Sequence, residues 1–304
     1  DAKNSIRQKI WEKQPKNFKK EAVINADGTI CETFGSCKSG IVISYNKKWG
    51  YAPLVISLAN TREPLYVVNR PACAPSHLDS ATWIDKSLDL TEGIFETTRL
   101  MGDTDFSLTG HFDKWDERCI FIFGMDARKN LVDIAKEITE WDLLEKKPKY
   151  QIKTQERKKQ VNTKKKVVKK RKYRNIKTES EYLSEFPYRP GKCEKTYRIV
   201  VLKKIIKVTE GELQLFDDVK YFFYITNDWK RTKEEVVESY RTRADHENDI
   251  EQLKNGAKAL QAPSNTLLSN WAYMAIASTA WDLKAWYRLL MPYRIMGKRI
   301  VPME

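Results

Sequence analysis

The feature that most constrains the fold is a break in the middle of the chain. Between Glu145 and Arg174 fifteen residues are Lys or Arg and two are Glu, so this segment carries +13 of a formal net charge of +14. No apolar period survives there, and like charges packed this densely repel one another and stay in water. A core must therefore be built from the two flanking pieces. A polyanionic partner is indicated by one local tract rather than by a generally basic surface. With 304 residues, 41% of them apolar, the flanking pieces suffice for one large core or two modest ones. No run is apolar and charge-free over the length a bilayer span needs. The five cysteines are odd in number and widely spaced, and His77, His111 and His246 do not cluster. That argues against a disulfide framework or a zinc site and for a reducing, cytoplasmic compartment.

Residues 1 to 20 read as a basic lead-in with Trp11 and Phe18. The chain opens on Asp1 with no signal peptide, so it is expected to be cut from a longer protein with a further N-terminal domain. An apolar strand, Glu21 to Asp27, runs into the turn Asp27-Gly28-Thr29 and delivers a carboxylate at its end. Strands at Ile41 to Tyr45, Ala52 to Leu58 and Pro64 to Val68 continue a meander. The spacing of Trp83, Ile84, Leu88, Leu90 and Phe95 predicts an amphipathic helix over 79–95, with Ser80 as N-cap. A strand from Thr97 delivers a second carboxylate at Asp103, and Cys119 to Gly124 is the next strand.

Beyond the basic tract, order is expected to return with strands at Thr196 to Ile206 and Tyr221 to Asn227. Thr232 and Glu235 have capping-box spacing and predict a helix over Val236 to Leu260. The apolar stretch Leu267 to Leu290 holds Asp282, Lys284 and Arg288, which predicts a buried core helix rather than a membrane span. The expected class is α/β, a mixed central sheet flanked by helices. Residues 1–144 and 196–304 form two parts of one core, and 145–195 a basic, mobile insertion.

On the predicted helix, Tyr240, Arg243, Glu247 and Lys254 fall within a stripe about 60° wide at 100° per residue. One face thus presents a phenol, a guanidinium, a carboxylate and an ammonium, beside an apolar strip of Ile250, Leu253 and Ala257. His246 points about 100° away and is expected on the surface, Asp245 and Asp249 are expected solvated, and Trp229 is expected to pack.

The spacing Tyr240-x2-Arg243-x3-Glu247-x6-Lys254 resembles the YREK signature of bacterial insertion-sequence transposases of the DDE class. Asp27 in Asp-Gly-Thr resembles that family's first catalytic aspartate, and Asp103 in Met-Gly-Asp-Thr-Asp-Phe its second. Met101 stands where the family carries Arg, Asn25 where it often has a second acid, and Asp105 offers a competing carboxylate. The resemblance covers about residues 21 to 290 and implies an RNase H-like catalytic domain with the insertion between the second Asp and the Glu. It implies Asp27, Asp103 and Glu247 as both catalytic residues and ligands of two Mg²⁺ or Mn²⁺ ions.

Such chemistry suits these residues, because in-line phosphodiester displacement is served by two hard cations held by oxygen ligands. Tyr240, Arg243 and Lys254 are then expected to bind phosphates of the DNA. Lys164, Lys165, Lys166, Lys169, Lys170, Arg171 and Lys172 are expected to add salt-dependent affinity that is blind to sequence. The partners implied are double-stranded DNA, as transposon terminal inverted repeats and target, and a second subunit at paired ends; the setting implied is the bacterial nucleoid. Two other readings stay open at this point. One is a catalytically silent, domesticated DNA-binding protein, and the other a metal-dependent nuclease without strand transfer.

Overall fold

The computed structural model describes residues 2–145, 174–210 and 213–291, with Val167, Arg171, 294–295 and 298–299. Its first half opens with helix α1 (Ala2–Glu12) and continues through strands β1 (Glu21–Gly28), β2 (Cys31–Glu32), β3 (Val42–Ile43), β4 (Trp49–Tyr51), β5 (Leu54–Leu58) and β6 (Glu63–Val68). Helix α2 (Ser80–Thr91) leads to β7 (Thr97–Gly102), α3 (Phe112–Asp116), β8 (Ile120–Met125), α4 (Lys129–Glu137) and β9 (Asp142–Leu143). The second half comprises β10 (Arg174–Tyr188), β11 (Tyr197–Glu210), β12 (Leu213–Thr226), α5 (Lys233–Arg241), α6 (Ala244–Glu251), a π-helical turn (Gln252–Gly256) and α7 (Leu267–Leu290).

Nine strands form one mixed sheet in the order β6-β5-β1-β7-β8-β12-β11-β10-β9, and β2-β4-β3 form a small separate sheet. β1, β7 and β8 run parallel at the centre, and the remaining neighbours are antiparallel. The expected mixed α/β architecture is thus observed. Strand alternation decides what each face holds. Ala22, Ile24 and Ala26 of β1 point into the largest core with Leu54, Ile56 and Leu100, while Met101, Ile122 and Val200 pack under Val236 and Val237 of α5 on the opposite face. Val55, Ile250, Leu253 and Met274 join α6, the π turn and α7 to the sheet.

Four expectations need correction. Arg174–Tyr188, expected inside the inserted region, is strand β10, paired from Arg174↔Glu210 to Tyr188↔Tyr197 with β11. Cross-strand pairs such as Lys204–Glu181 (3.4 Å) and Lys207–Glu179 (3.2 Å) stand beside the core contacts of Leu183, Phe186 and Tyr188. The helix expected over Val236 to Leu260 is divided at Thr242 and Arg243. Its capping box is present, with Thr232 and Glu235 each closing on the other's backbone. Ser80 does not cap α2; it is the first helical residue and donates to His77 O, while Asp79 precedes it with φ 56°. Finally, α7 buries only one face, through Asn270, Met274, Ser278, Asp282 and Trp286, and leaves Leu268, Ile276 and Tyr287 exposed.

No described helix is long and apolar enough to cross a membrane. All five cysteines are free.

Candidate active site

Register brings the two strand-end aspartates together. β1 and β7 are parallel with Ala26 opposite Gly102, so the next residues, Asp27 and Asp103, leave neighbouring strands at the same level, strands lying about 4.8 Å apart. Alternation turns both toward the face covered by α5 and α6, because Ala26 and Leu100 point into the opposite core. Asp103 is pinned as the cap of a short 3₁₀ turn, its Oδ1 accepting from Asp105 N at 3.0 Å. Asp27 Oδ1 accepts from Gly28 N at 2.8 Å. Asp105, the competing carboxylate of the sequence, is exposed, follows Asp103 by two residues and lines the same cavity as Asp27 and Asp103.

The divided helix supplies the other groups. Around the break, Arg243 N, Asp245 N and His246 N donate to carbonyls three residues back, and Ala257 N then reaches five back to Gln252 O. The segment first tightens and then widens relative to an α-helix, which overrides the uniform 100° wheel. Arg243 Nη1 stands 3.4 Å from Asp27 Oδ2. Its guanidinium lies 5.5 Å from the Tyr240 ring centre, and that ring is 4.7 Å from Tyr224. Gly124 makes this possible: a Cβ there would stand 2.7 Å from the Tyr240 hydroxyl. Tyr240 therefore braces Arg243. Glu247 is exposed and lines a small cleft with Asp27, Gly28, Ile250 and Lys254. A larger cavity of about 770 Å³ continues from Asp27, Asp103 and Lys254 toward Lys48 and Arg70.

The structure therefore places Asp27, Asp103, Glu247 and Lys254 on two hollows that share Asp27 and Lys254, with Arg243 against Asp27 and Tyr240 beside Arg243. Lys164, Lys165, Lys166, Lys169, Lys170 and Lys172 lie outside the described residues, and Arg171 is exposed.

Burial pushes the Asp27 carboxyl up to about 6; the Arg243 charge opposes this, and Asp103 and Glu247 add to it. Asp103 is raised for the same first reason, again against Arg243. Burial lowers the Lys254 ammonium. Among the described residues no three His, Cys, Asp or Glu side chains converge closely enough to hold one metal ion. The donor chemistry nevertheless fits hard cations: two half-buried carboxylates at adjacent strand ends, with a guanidinium drawn in as their counter-charge. Since Arg243 lowers Asp27, Arg243→Gln is expected to raise the Asp27 carboxyl further above 6, read by carboxyl-carbon NMR. An unchanged midpoint would contradict the pairing. Asp27 is held above the value of an unfolded chain, so it favours folding at pH below 4, an advantage lost as the pH rises through about 6.

Two residues expected at the surface are buried. His246 is 1% exposed, with Nδ1 2.9 Å from Ser57 Oγ on β5, and burial lowers it to about 4. Asp249 is buried with Arg62 Nε at 3.6 Å, and burial raises it to about 6. Conversely Trp229, expected to pack, is exposed. The sequence reading also missed Arg70, whose Nη1 donates to the carbonyls of Ser76 (2.9 Å) and Leu78 (2.7 Å) and fixes the far cavity wall. No sequence periodicity marks that role.

No curated protein matches the chain. Among solved structures it is similar to a piggyBac transposase in a synaptic complex with hairpin DNA, at 9% identity and a TM-score of 0.43. The alignment covers 88% of this chain and 51% of that one, so the chain spans about half of that protein's length. The family described as transposase DDE domain group 1 matches over residues 1–299, nearly from end to end. Whatever lies beyond its ends, the chain belongs to the DDE transposases, in domain group 1.

Proposed function

We propose that the cleft cuts DNA at the ends of a mobile element and joins the freed 3′ hydroxyl to target DNA, with Asp27, Asp103 and Glu247 as the catalytic carboxylates. The observation that carries this reading is the level register of Asp27 and Asp103 at the ends of parallel β1 and β7, with Glu247 lining the cleft at Asp27. The strand order β6-β5-β1-β7-β8 supports an RNase H-like core. The Tyr240, Arg243, Glu247 and Lys254 set supports the YREK type and an origin in a bacterial insertion sequence acting at the nucleoid. Residues 1–144 and the strands and helices from β10 onward then make one core, interrupted by the basic tract.

In this mechanism Asp27, Asp103 and Glu247 would hold two Mg²⁺ or Mn²⁺ ions. Such ions supply activation of the attacking hydroxyl and stabilisation of the leaving oxygen. The protein's own groups do the positioning. Arg243 presents a planar fork to a phosphate and Lys254, lining the same small hollow as Glu247, a point charge. Tyr240, wedged over Gly124, fixes the angle of that fork. The basic tract adds phosphate affinity that falls with salt. Two subunits act at paired ends.

The test is nicking of a plasmid carrying the native element in Mg²⁺ or Mn²⁺, comparing the starting protein with Glu247→Gln. Nicks at the element ends by the starting protein, with a variant that binds but does not cut, are expected, followed by joined products. Nicks without joining reduce the activity to a nuclease. Binding without cutting by both proteins, in either metal, makes the chain a silent DNA-binding protein.

A further inference from the structure

The small sheet β2-β4-β3 borders the larger cavity through Glu32 and the turn between β3 and β4. Residues 41–51 read Ile-Val-Ile-Ser-Tyr-Asn-Lys-Lys-Trp-Gly-Tyr, with two lysines and no acid. β3 and β4 place Ile43 directly opposite Trp49, so the two side chains share a face, and both are exposed. Tyr45 stands on the connecting turn and is 89% exposed, the most exposed large apolar side chain among the described residues.

This turn is rigid. Ser44 N donates to Lys48 O (2.8 Å), Lys47 N to Ser44 O (2.9 Å) and Lys48 N to Ser44 Oγ (3.1 Å). Lys47 takes φ 63°. At its base, Gly50 has φ 156° and crosses β2 so closely that a Cβ would lie 2.0 Å from Cys31 O. Cys31 is itself buried against the segment that follows Glu247, its Sγ donating to Leu260 O at 3.1 Å. The hairpin is therefore anchored to the same helical segment that carries the cleft carboxylate.

Tyr45, Asn46 and Lys48 line the cavity of about 770 Å³ whose other end holds Asp27, Asp103 and Lys254. That volume lies in the range of clefts that enclose small organic groups, roughly 300–1,000 Å³. Lys48 is paired with Glu32 of β2 at 2.9 Å on the same cavity wall, while the Tyr45 ring is left in water at the cavity edge, an arrangement that matches the chemistry of unpaired nucleotides. Their bases stack on aromatic rings while lysines meet the phosphates. A base inside a duplex has no free face to offer.

We propose that the Ser44–Trp49 hairpin is a stacking platform for an unpaired nucleotide of the DNA strand entering the cleft, with Tyr45 as the stacking ring and Lys48, exchanging its partner Glu32 at 2.9 Å for a phosphate, as the second contact. The proposal rests on the DNA-cutting reading of the cleft.

The experiment is fluorescence anisotropy in chelator, so that no cutting occurs. It compares a labelled duplex with a four-nucleotide single-stranded overhang against the same duplex with blunt ends. Tyr45→Ala is expected to weaken the overhang complex roughly 5- to 100-fold and to leave the blunt complex nearly unchanged. Tyr45→Phe retains the ring and keeps overhang affinity. Equal weakening of both duplexes by Tyr45→Ala, or no weakening of either, overturns the platform while leaving the cleft reading in place. Loss of self-association in sedimentation with DNA affinity intact also overturns it, making the face a protein contact. If the starting protein binds neither duplex, the DNA-cutting reading falls and the platform with it.

Discussion

Asp27→Asn is expected to lower the rate of DNA strand cleavage by roughly 10³-fold or more while duplex DNA stays bound. The magnitude follows from the several kcal/mol that cation-assisted charge stabilisation supplies, each 1.4 kcal/mol being about tenfold in rate. The substitution keeps shape and a hydrogen-bond acceptor for Gly28 N but removes the charge that faces Arg243 at 3.4 Å. Asp103→Asn should be as severe, and the double variant little worse than either, because groups that act as one unit do not add. Asp105→Asn is the control. It lines the cavity but is exposed and stands two residues beyond Asp103, which the strand end levels with Asp27, so single-turnover cleavage should change little; a loss equal to that of Asp103→Asn would move the second carboxylate to Asp105.

The second large effect is on stability and lies far from the cleft. Arg7 of α1 is fully buried, with Nε 3.1 Å from Glu63 Oε1 on β6 and Nη2 2.9 Å from Asp282 Oδ1 on α7. Lys3 reaches Asp282 Oδ2 at 2.9 Å, and Trp11 Nε1 donates to Glu63 Oε2 at 3.1 Å. Arg7→Ala leaves two buried carboxylates without the guanidinium between them, which is expected to cost about 3–5 kcal/mol. That is a large part of the roughly 5–15 kcal/mol by which domains are stable. Arg7→Lys should recover only part, since one ammonium cannot serve both acids as the planar fork does. Denaturant midpoints measure this. A shift below about 1 kcal/mol, the range of exposed pairs such as Lys114–Asp85, would show that the network carries no stability.

How much of this was legible in the sequence follows from what each element buries. β1 and β7 could be read with their terminal carboxylates because a central parallel strand is apolar up to its end and then stops. The stripe Tyr240, Arg243, Glu247 and Lys254 was legible as spacing, yet the helix carrying it is divided at Thr242 and Arg243, where the backbone bonds three residues back and no Gly or Pro marks the break. β10 was illegible because its first half is polar and charged, with Lys–Glu pairs to β11, and its core contacts, through Leu183, Phe186 and Tyr188, are confined to the second half. His246 was misjudged for a related reason. Its burial depends on Ser57, 189 residues away in sequence, and no local pattern announces a polar partner on another element. Arg7 and Asp282 meet across 275 residues, which likewise leaves no mark in either neighbourhood.

The central claim is that Asp27, Asp103 and Glu247 together hold divalent cations on DNA. A manganese titration followed by electron paramagnetic resonance, on protein bound to a cleaved DNA end, tests it without relying on turnover. The account predicts tightly held manganese in the starting protein and its loss in Asp27→Asn and in Glu247→Gln, with DNA still bound by both. Undiminished manganese binding in those two variants would contradict it.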